Sequence, residues 1–242
     1  MELRKGMMIE IKGRAGSGKT RRALGHYCYE ELVSNKNNVL VMSVEFRRAD
    51  IKHLLIARHV YEMFKSIVSD RDIKIMKSAP KEFPEYIREC VKNAEADLFE
   101  SGNYGMLTVD SDDHSLVNLI DFGNTYSNYN TIIIDNLDLV DRYNKDLKEF
   151  LKELDSHMRG LDKTCIITSM SPEKYSIPEV DKDTIFDFVE LISTSENPEV
   201  KHIDTYCKET NSQIRKEYNT IMKCSKWEAQ NGEDYLLRIR RS

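Results

Sequence analysis

The sequence predicts an α/β protein, a mostly parallel sheet flanked by helices with antiparallel strands at the C-terminal end. Three observations carry this prediction. Short apolar runs alternate with amphipathic stretches, the pattern of strands joined by crossover helices. The strand-like Met7-Met8-Ile9-Glu10-Ile11-Lys12 runs straight into Gly13-Arg14-Ala15-Gly16-Ser17-Gly18-Lys19-Thr20, which opens a helix. Further on, Thr131-Ile132-Ile133-Ile134-Asp135 reads as a buried strand closing on a carboxylate.

Each element follows from local pattern. Thr20 to Ser34 places Leu24, Cys28 and Leu32 on one helical face. Asn35-Lys36-Asn37-Asn38 is a polar turn, and Val39-Leu40-Val41-Met42-Ser43 is the second strand. Arg48 to Ser69 predicts a helix with Ile56, Val60, Met63 and Ile67 on one stripe. Ser78-Ala79-Pro80 caps a further helix carrying Phe83, Ile87, Cys90, Ala94 and Leu98. Gly105 to Asp110 is a third strand, and Ser115 to Tyr126 a helix. After the Asp135 strand, Leu147, Phe150, Leu151, Leu154 and Met158 pattern a helix that leads to the strand Thr164 to Ser169. Phe188 to Ile192, Asn219 to Lys223 and Tyr235 to Ile239 are further strands. Residues 193–217 are polar and weakly patterned, an ordered insertion or a mobile loop. With no repeat, low-complexity tract or clean linker, residues 1–242 read as a single domain.

Composition narrows the class. Of 242 residues, 40% are hydrophobic and 32% charged, which excludes a disordered chain. No apolar run reaches the ~18 residues of a membrane span. Met1 to Lys5 leads into no signal-peptide core, so a cytoplasmic location is expected. The five cysteines are scattered without a C-x-x-C pair. That argues against zinc and a disulfide framework, and for a reducing compartment. A net charge of −5 is not a basic nucleic-acid footprint.

The chemistry starts at the glycine-rich loop. Gly13-Arg14-Ala15-Gly16-Ser17-Gly18-Lys19-Thr20 is a complete G-x-x-x-x-G-K-T phosphate loop. Its backbone N–H groups fold round an anion, and the following helix adds the positive end of its dipole. Lys19 is expected to reach the β- and γ-phosphates of ATP, and the Thr20 hydroxyl to hold Mg²⁺. Asp135 is the expected second metal-side carboxylate, whereas Asp138 reads as a solvated loop residue. Glu45 follows the second strand. Groups at the carboxyl ends of parallel strands converge on the ligand, and a carboxylate there can polarise the attacking water.

This order of parts resembles the RecA-type P-loop ATPase core. It is most similar to the motor domain of DnaB-type replicative helicases, with KaiC-type ATPases next. Val41-Met42-Ser43-Val44-Glu45 is similar to the helicases' strand-Ser-Leu-Glu motif, and Asp135-Asn136-Leu137-Asp138-Leu139 to their Asp-Tyr-Leu-Gln-Leu. The long spacer from Ile51 to Tyr104, leading into Met106 to Asp110, also resembles them. The resemblance implies ATP hydrolysis coupled to nucleic-acid handling, a homo-oligomer (a hexamer-type ring or a filament), and single-stranded DNA as a partner. In that family the loops after the Asp135 and Ser169 strands contact DNA. Here they hold Arg142, Tyr143, Lys145, Lys174, Tyr175 and Lys182, offset by nearby carboxylates. Trp227 and the tail Arg238, Arg240 and Arg241 fit either an exposed face or a binding site.

The sequence departs from the family in three ways. Ser169-Met170 stands where the helicases have Ser-Gln, and a thioether cannot replace that amide as a γ-phosphate sensor. Lys223-Cys224-Ser225-Lys226 stands where they have Lys-x-Arg, leaving Lys223 and Lys226 as the cations that would reach a neighbour's nucleotide without a bidentate fork. No stretch corresponds to the helicases' N-terminal domain. These departures keep a second reading open, a KaiC-like regulatory or assembly ATPase that contacts proteins and not DNA. Other nucleotide-binding classes fit less well. A small-molecule kinase would carry an Arg-rich lid, a transporter ATPase a Leu-Ser-Gly-Gly-Gln-like signature, and a GTPase an Asn-Lys-x-Asp motif.

Overall fold

A computed structural model describes residues 5–43, 45–110, 128–137, 147–170, 184–197, 199–229 and 235–237. Ten strands form one sheet among them. These are β1 (Met8–Gly13), β2 (Val39–Ser43), β3 (Leu107–Asp110), β4 (Thr131–Asp135), β5 (Thr164–Met170), β6 (Phe188–Thr194), β7 (Val200–Cys207), β8 (Ser212–Ile221), β9 (Lys226–Ala229) and β10 (Tyr235–Leu237). Their order is β10-β8-β7-β6-β1-β5-β4-β2-β3, with β9 on β8. The half from β3 to β6 is parallel, and β6-β7-β8 with β9 and β10 is antiparallel. This is the predicted fold class.

The central strands are apolar on both faces because both faces are covered. Ile9, Ile11, Ile133 and Ile166 point into one core cluster with Leu24, Cys28 and Leu32. Met8, Ile132, Ile134, Cys165 and Ile167 point into the other, with Phe150, Leu154 and Met158. The first cluster packs under the helix that follows the loop. That helix begins as a π-helical stretch, Arg21–Tyr27, and continues as α1 (Cys28–Val33). The first cluster also takes Ile51, Leu54 and Leu55 from α2 (Arg48–Phe64), while α3 (Asp70–Ser78) and α4 (Glu85–Glu100) pack on α2 in a third cluster, and the second cluster packs under α5 (Leu147–Gly160).

Several elements differ from expectation. The helix predicted over Arg48 to Ser69 ends at Phe64, where Lys65 turns left-handed at φ 55°. Ser69 then starts α3 with a capping box. Its Oγ accepts from the Asp72 N–H at 3.0 Å, and the Asp72 carboxylate accepts from the Ser69 N–H at 2.9 Å. Of the apolar stripe, Ile56 and Val60 are buried, while Met63 in the last turn of the helix and Ile67 beyond it are exposed. The Ser78-Ala79-Pro80 cap opens a short 3₁₀ turn, Pro80–Glu82, and α4 starts after Pro84. Residues 193–217, read as insertion or mobile loop, belong largely to the strands β7 and β8. Outward-facing residues of β8 alternate with partly and fully buried ones, so a strand solvated on one face looked unpatterned. The predicted helix Ser115 to Tyr126 lies outside the described residues. Among the described residues, no helix is long and apolar enough to cross a membrane.

Candidate functional site

β1 sits between β5 and β6, so its carboxyl end opens at the middle of the sheet. The glycine-rich loop Gly13 to Thr20 leaves from there. Ser17 N–H bonds back to the Arg14 carbonyl at 3.1 Å, and Gly16 and Gly18 take φ of 74° and 102°. Those angles lie where side chains are strained, which is why glycine recurs at this spacing. Gly13 is needed for a different reason, since a Cβ there would lie 2.3 Å from Ser17 Oγ.

Four predicted residues meet beside this loop. Lys19 is buried, with Nζ 3.5 Å from the Arg14 carbonyl and 3.3 Å from Met170 Sδ. Thr20 Oγ1 donates to Asp135 Oδ1 at 3.1 Å. Asp135 closes β4 and is 1% exposed. Glu45, two residues beyond β2, is exposed and accepts from Asn136 Nδ2 at 3.2 Å. The register explains the convergence, because Ser43 at the end of β2 pairs with Asp135 at the end of β4. Ser43 Oγ also accepts from the Phe46 N–H at 3.2 Å and so shapes the turn that presents Glu45.

Two further residues of the candidate site, Thr168 and Asn136, carry no mark in the sequence. Thr168 on β5 donates to Asp135 Oδ1 at 2.6 Å and so orients the carboxylate. Asn136 holds Glu45. Neither stood out in the chain, since Thr168 reads as one more residue of a buried strand, and Asn136 matters only once β2 lies beside β4.

The electrostatics fit a cation. Burial raises the Asp135 carboxyl above its ordinary pKa. The Thr168 and Thr20 hydroxyls and Lys19 pull it down, while the nearby Glu45 charge pushes it up. Its second oxygen, Oδ2, is buried without a hydrogen-bond partner among the described residues, and so is Ser17 Oγ. An orphaned carboxylate oxygen beside a threonine hydroxyl suits a hard divalent cation such as Mg²⁺, which takes one or two protein oxygens and otherwise water or phosphate. Among the described residues, no group of three or more His, Cys, Asp or Glu is arranged to hold a metal ion.

Behind the loop, Arg22 anchors the helix to the antiparallel half-sheet. Its guanidinium bonds both oxygens of Glu190 on β6, at 3.1 and 3.0 Å. Tyr27 Oη donates to the same carboxylate at 2.5 Å. Arg22 also stacks at 4.9 Å on Tyr27, 5.0 Å on Tyr218 and 5.4 Å on Trp227. Burial opposes the Arg22 charge, but Glu190 and Tyr27 outweigh it and raise its pKa.

The remaining predicted residues fall elsewhere. Lys226 is not a free cation. Its Nζ bonds Glu62 Oε1 at 2.6 Å, on a carboxylate that also takes Arg58 at 2.9 Å. Lys223 is exposed; burial raises the Asp72 carboxyl, but the hydrogen bonds from the Ser69 hydroxyl and N–H, with the smaller pull of nearby Lys223, bring its pKa below the ordinary value. Trp227 is buried against Arg22 and Tyr218 and so is no base-stacking residue. Asp138, Arg142, Tyr143, Lys145, Lys174, Tyr175, Lys182, Arg238, Arg240 and Arg241 lie outside the described residues. The five cysteines are free.

No protein-family model matches the chain, and no curated protein is similar to it in sequence. Solved structures are similar in fold. One solved ATPase domain superposes with a TM-score of 0.73 at 14% identity, over 95% of this chain and 86% of that one. A DnaB-like replicative helicase gives 0.69 at 14% identity, over 93% of this chain and 57% of that one. A KaiC-like protein from the archaeon Pyrococcus horikoshii OT3 gives 0.58 at 14% identity, over 93% and 90%. The chain therefore has the RecA-type ATPase fold, in the form resembling the DnaB-like helicase domains.

Proposed function

We propose that this chain is a Mg²⁺-dependent ATPase whose turnover is coupled to nucleic-acid handling, in the manner of a DnaB-like motor. One observation carries the ATPase reading. Lys19, Thr20 and Asp135 converge beneath a phosphate loop, and the buried Asp135 Oδ2 is left for a cation. Gly13 to Thr20 cradle the phosphates, and Lys19 leaves the Arg14 carbonyl and Met170 for the β- and γ-phosphates. Thr20 and Asp135 hold Mg²⁺, which when bound offsets phosphate charge. Asn136 steadies Glu45, and Glu45 orients and deprotonates the attacking water.

The nucleic-acid half of the reading draws on the fold shared with a DnaB-like helicase. It proposes an oligomer, ring or filament, in which a neighbour supplies the transition-state cation. With Lys226 held by Glu62, Lys223 is the better placed of the two candidates. The same ion pair favours the second reading, a KaiC-like regulatory ATPase with slow turnover and protein partners. ATP hydrolysis measured with and without single-stranded DNA separates the two. Stimulation by DNA, lost as salt rises, supports the motor. Turnover indifferent to DNA at low salt supports the regulatory ATPase, and absence of ATP binding refutes both.

A further inference from the structure

β5 changes character at its last residue. Thr164 to Ser169 are buried, and Met170 is 50% exposed. That sulfur lies 3.3 Å from Lys19 Nζ, in the position that faces the loop's lysine. The lysine's contact with the Arg14 carbonyl is longer, at 3.5 Å. A thioether is a weak acceptor, so Lys19 leaves it at little cost when phosphate arrives.

We infer that Met170 is an oxidation site that controls nucleotide binding, its sulfoxide holding Lys19 back from phosphate. This rests on Lys19 being the phosphate ligand. The oxidant is a peroxide. Its oxygen is transferred to the sulfur lone pair, an S–O bond forms, the O–O bond breaks, and hydrogen peroxide leaves as water. Sulfur loses two electrons and the peroxide gains them. Exposure decides which methionines react. Met8, Met42, Met76 and Met158 are buried, so the half-exposed Met170 side chain next to the loop is open to attack where they are not. Met63 and Met106 are exposed as well, and a substitution at Met170 separates their effect from its own.

Two effects then act with the same sign. The sulfoxide oxygen is a strong acceptor and partly satisfies the Lys19 ammonium before ATP enters. Its negative end also faces the place where a triphosphate must sit. Together they weaken ATP binding about tenfold or more, the scale of one hydrogen bond to a charged group. The lesion is reversible, because methionine sulfoxide reductases restore the thioether.

The test uses the full chain and the variant Met170→Leu, each compared with itself before and after hydrogen peroxide. Peptide mass spectrometry reads the added oxygen on Met170, and calorimetry reads affinity for a non-hydrolysable ATP analogue with Mg²⁺. The native chain should lose about tenfold in affinity on oxidation and regain it with the reductase, while Met170→Leu changes less than about twofold. Equal losses in both proteins would place the effect at other methionines and overturn the inference. So would a Met170 that resists peroxide, or a Met170 sulfoxide that binds the analogue unchanged. An untreated chain that binds no analogue overturns the nucleotide site itself, which is a different failure.

Discussion

Thr168→Val keeps the shape of a buried β5 side chain and removes a single hydroxyl. That hydroxyl makes the shorter of two hydrogen bonds to Asp135 Oδ1, 2.6 Å against 3.1 Å from Thr20. A bond to a charged group is worth about 1.5–3 kcal/mol, and 1.4 kcal/mol is about tenfold in an equilibrium constant. In the variant the carboxylate keeps only the longer bond. Its pKa, already raised mainly by burial, rises further, and the ionised form that a cation needs is harder to hold. The tightening of ATP binding by Mg²⁺ should fall by about tenfold to a hundredfold, while affinity in EDTA stays the same. The sign with pH follows. A raised carboxyl pKa means that protons displace the metal at a higher pH than for a free aspartate. The Mg²⁺-dependent part of binding is therefore lost as pH falls through that raised value, and in Thr168→Val the loss begins earlier on the descent. Titration of a non-hydrolysable ATP analogue, with Mg²⁺ and with EDTA over about pH 5 to 8, measures both effects. A variant whose Mg²⁺ dependence matches the native chain at every pH would refute the role assigned to Thr168.

Lys19→Ala should abolish most ATP affinity, since the β/γ-phosphate charge loses its main cation, and calorimetry in EDTA isolates that loss from metal effects. Glu45→Gln should retain ATP binding and slow turnover by roughly 10²-fold or more, read in a steady-state phosphate-release assay. An unchanged rate would make Glu45 a surface carboxylate held by Asn136 and nothing more. Glu190→Gln strands the buried Arg22 charge and should destabilise the chain by about 3–5 kcal/mol, seen as a lower urea midpoint.

What could be read from the sequence depended on the range over which each signal acts. The glycine-rich loop is local, with strand, glycines, lysine and helix following one another, and its strand-to-helix course was legible. Asp135 and Glu45 were legible as residues at strand ends, because parallel strands bring their carboxyl ends together. Thr168 and Asn136 were not, since their importance comes from the neighbours of β4, and pairing order leaves no mark on a single chain. The meander after β6 was obscured for a physical reason too. Solvent at Arg215, Glu217 and Asn219 of β8 lets polar residues fill most of its positions. The break after Phe64 was written in Ser69-x-x-Asp72, a capping signal hidden inside an apolar stripe that carries on past it.

The place of β1 between β5 and β6 has a consequence for synthesis on the ribosome. Residues 8–13 are made well before their hydrogen-bonding partners, residues 165–170 and 188–192. Until those emerge, the strand that launches the loop has no neighbour on either edge, and closing contacts this distant in the chain is slow. Nascent chains stopped before β5 should carry every loop residue and still fail to retain ATP. Affinity should appear abruptly once the sheet can close round its first strand.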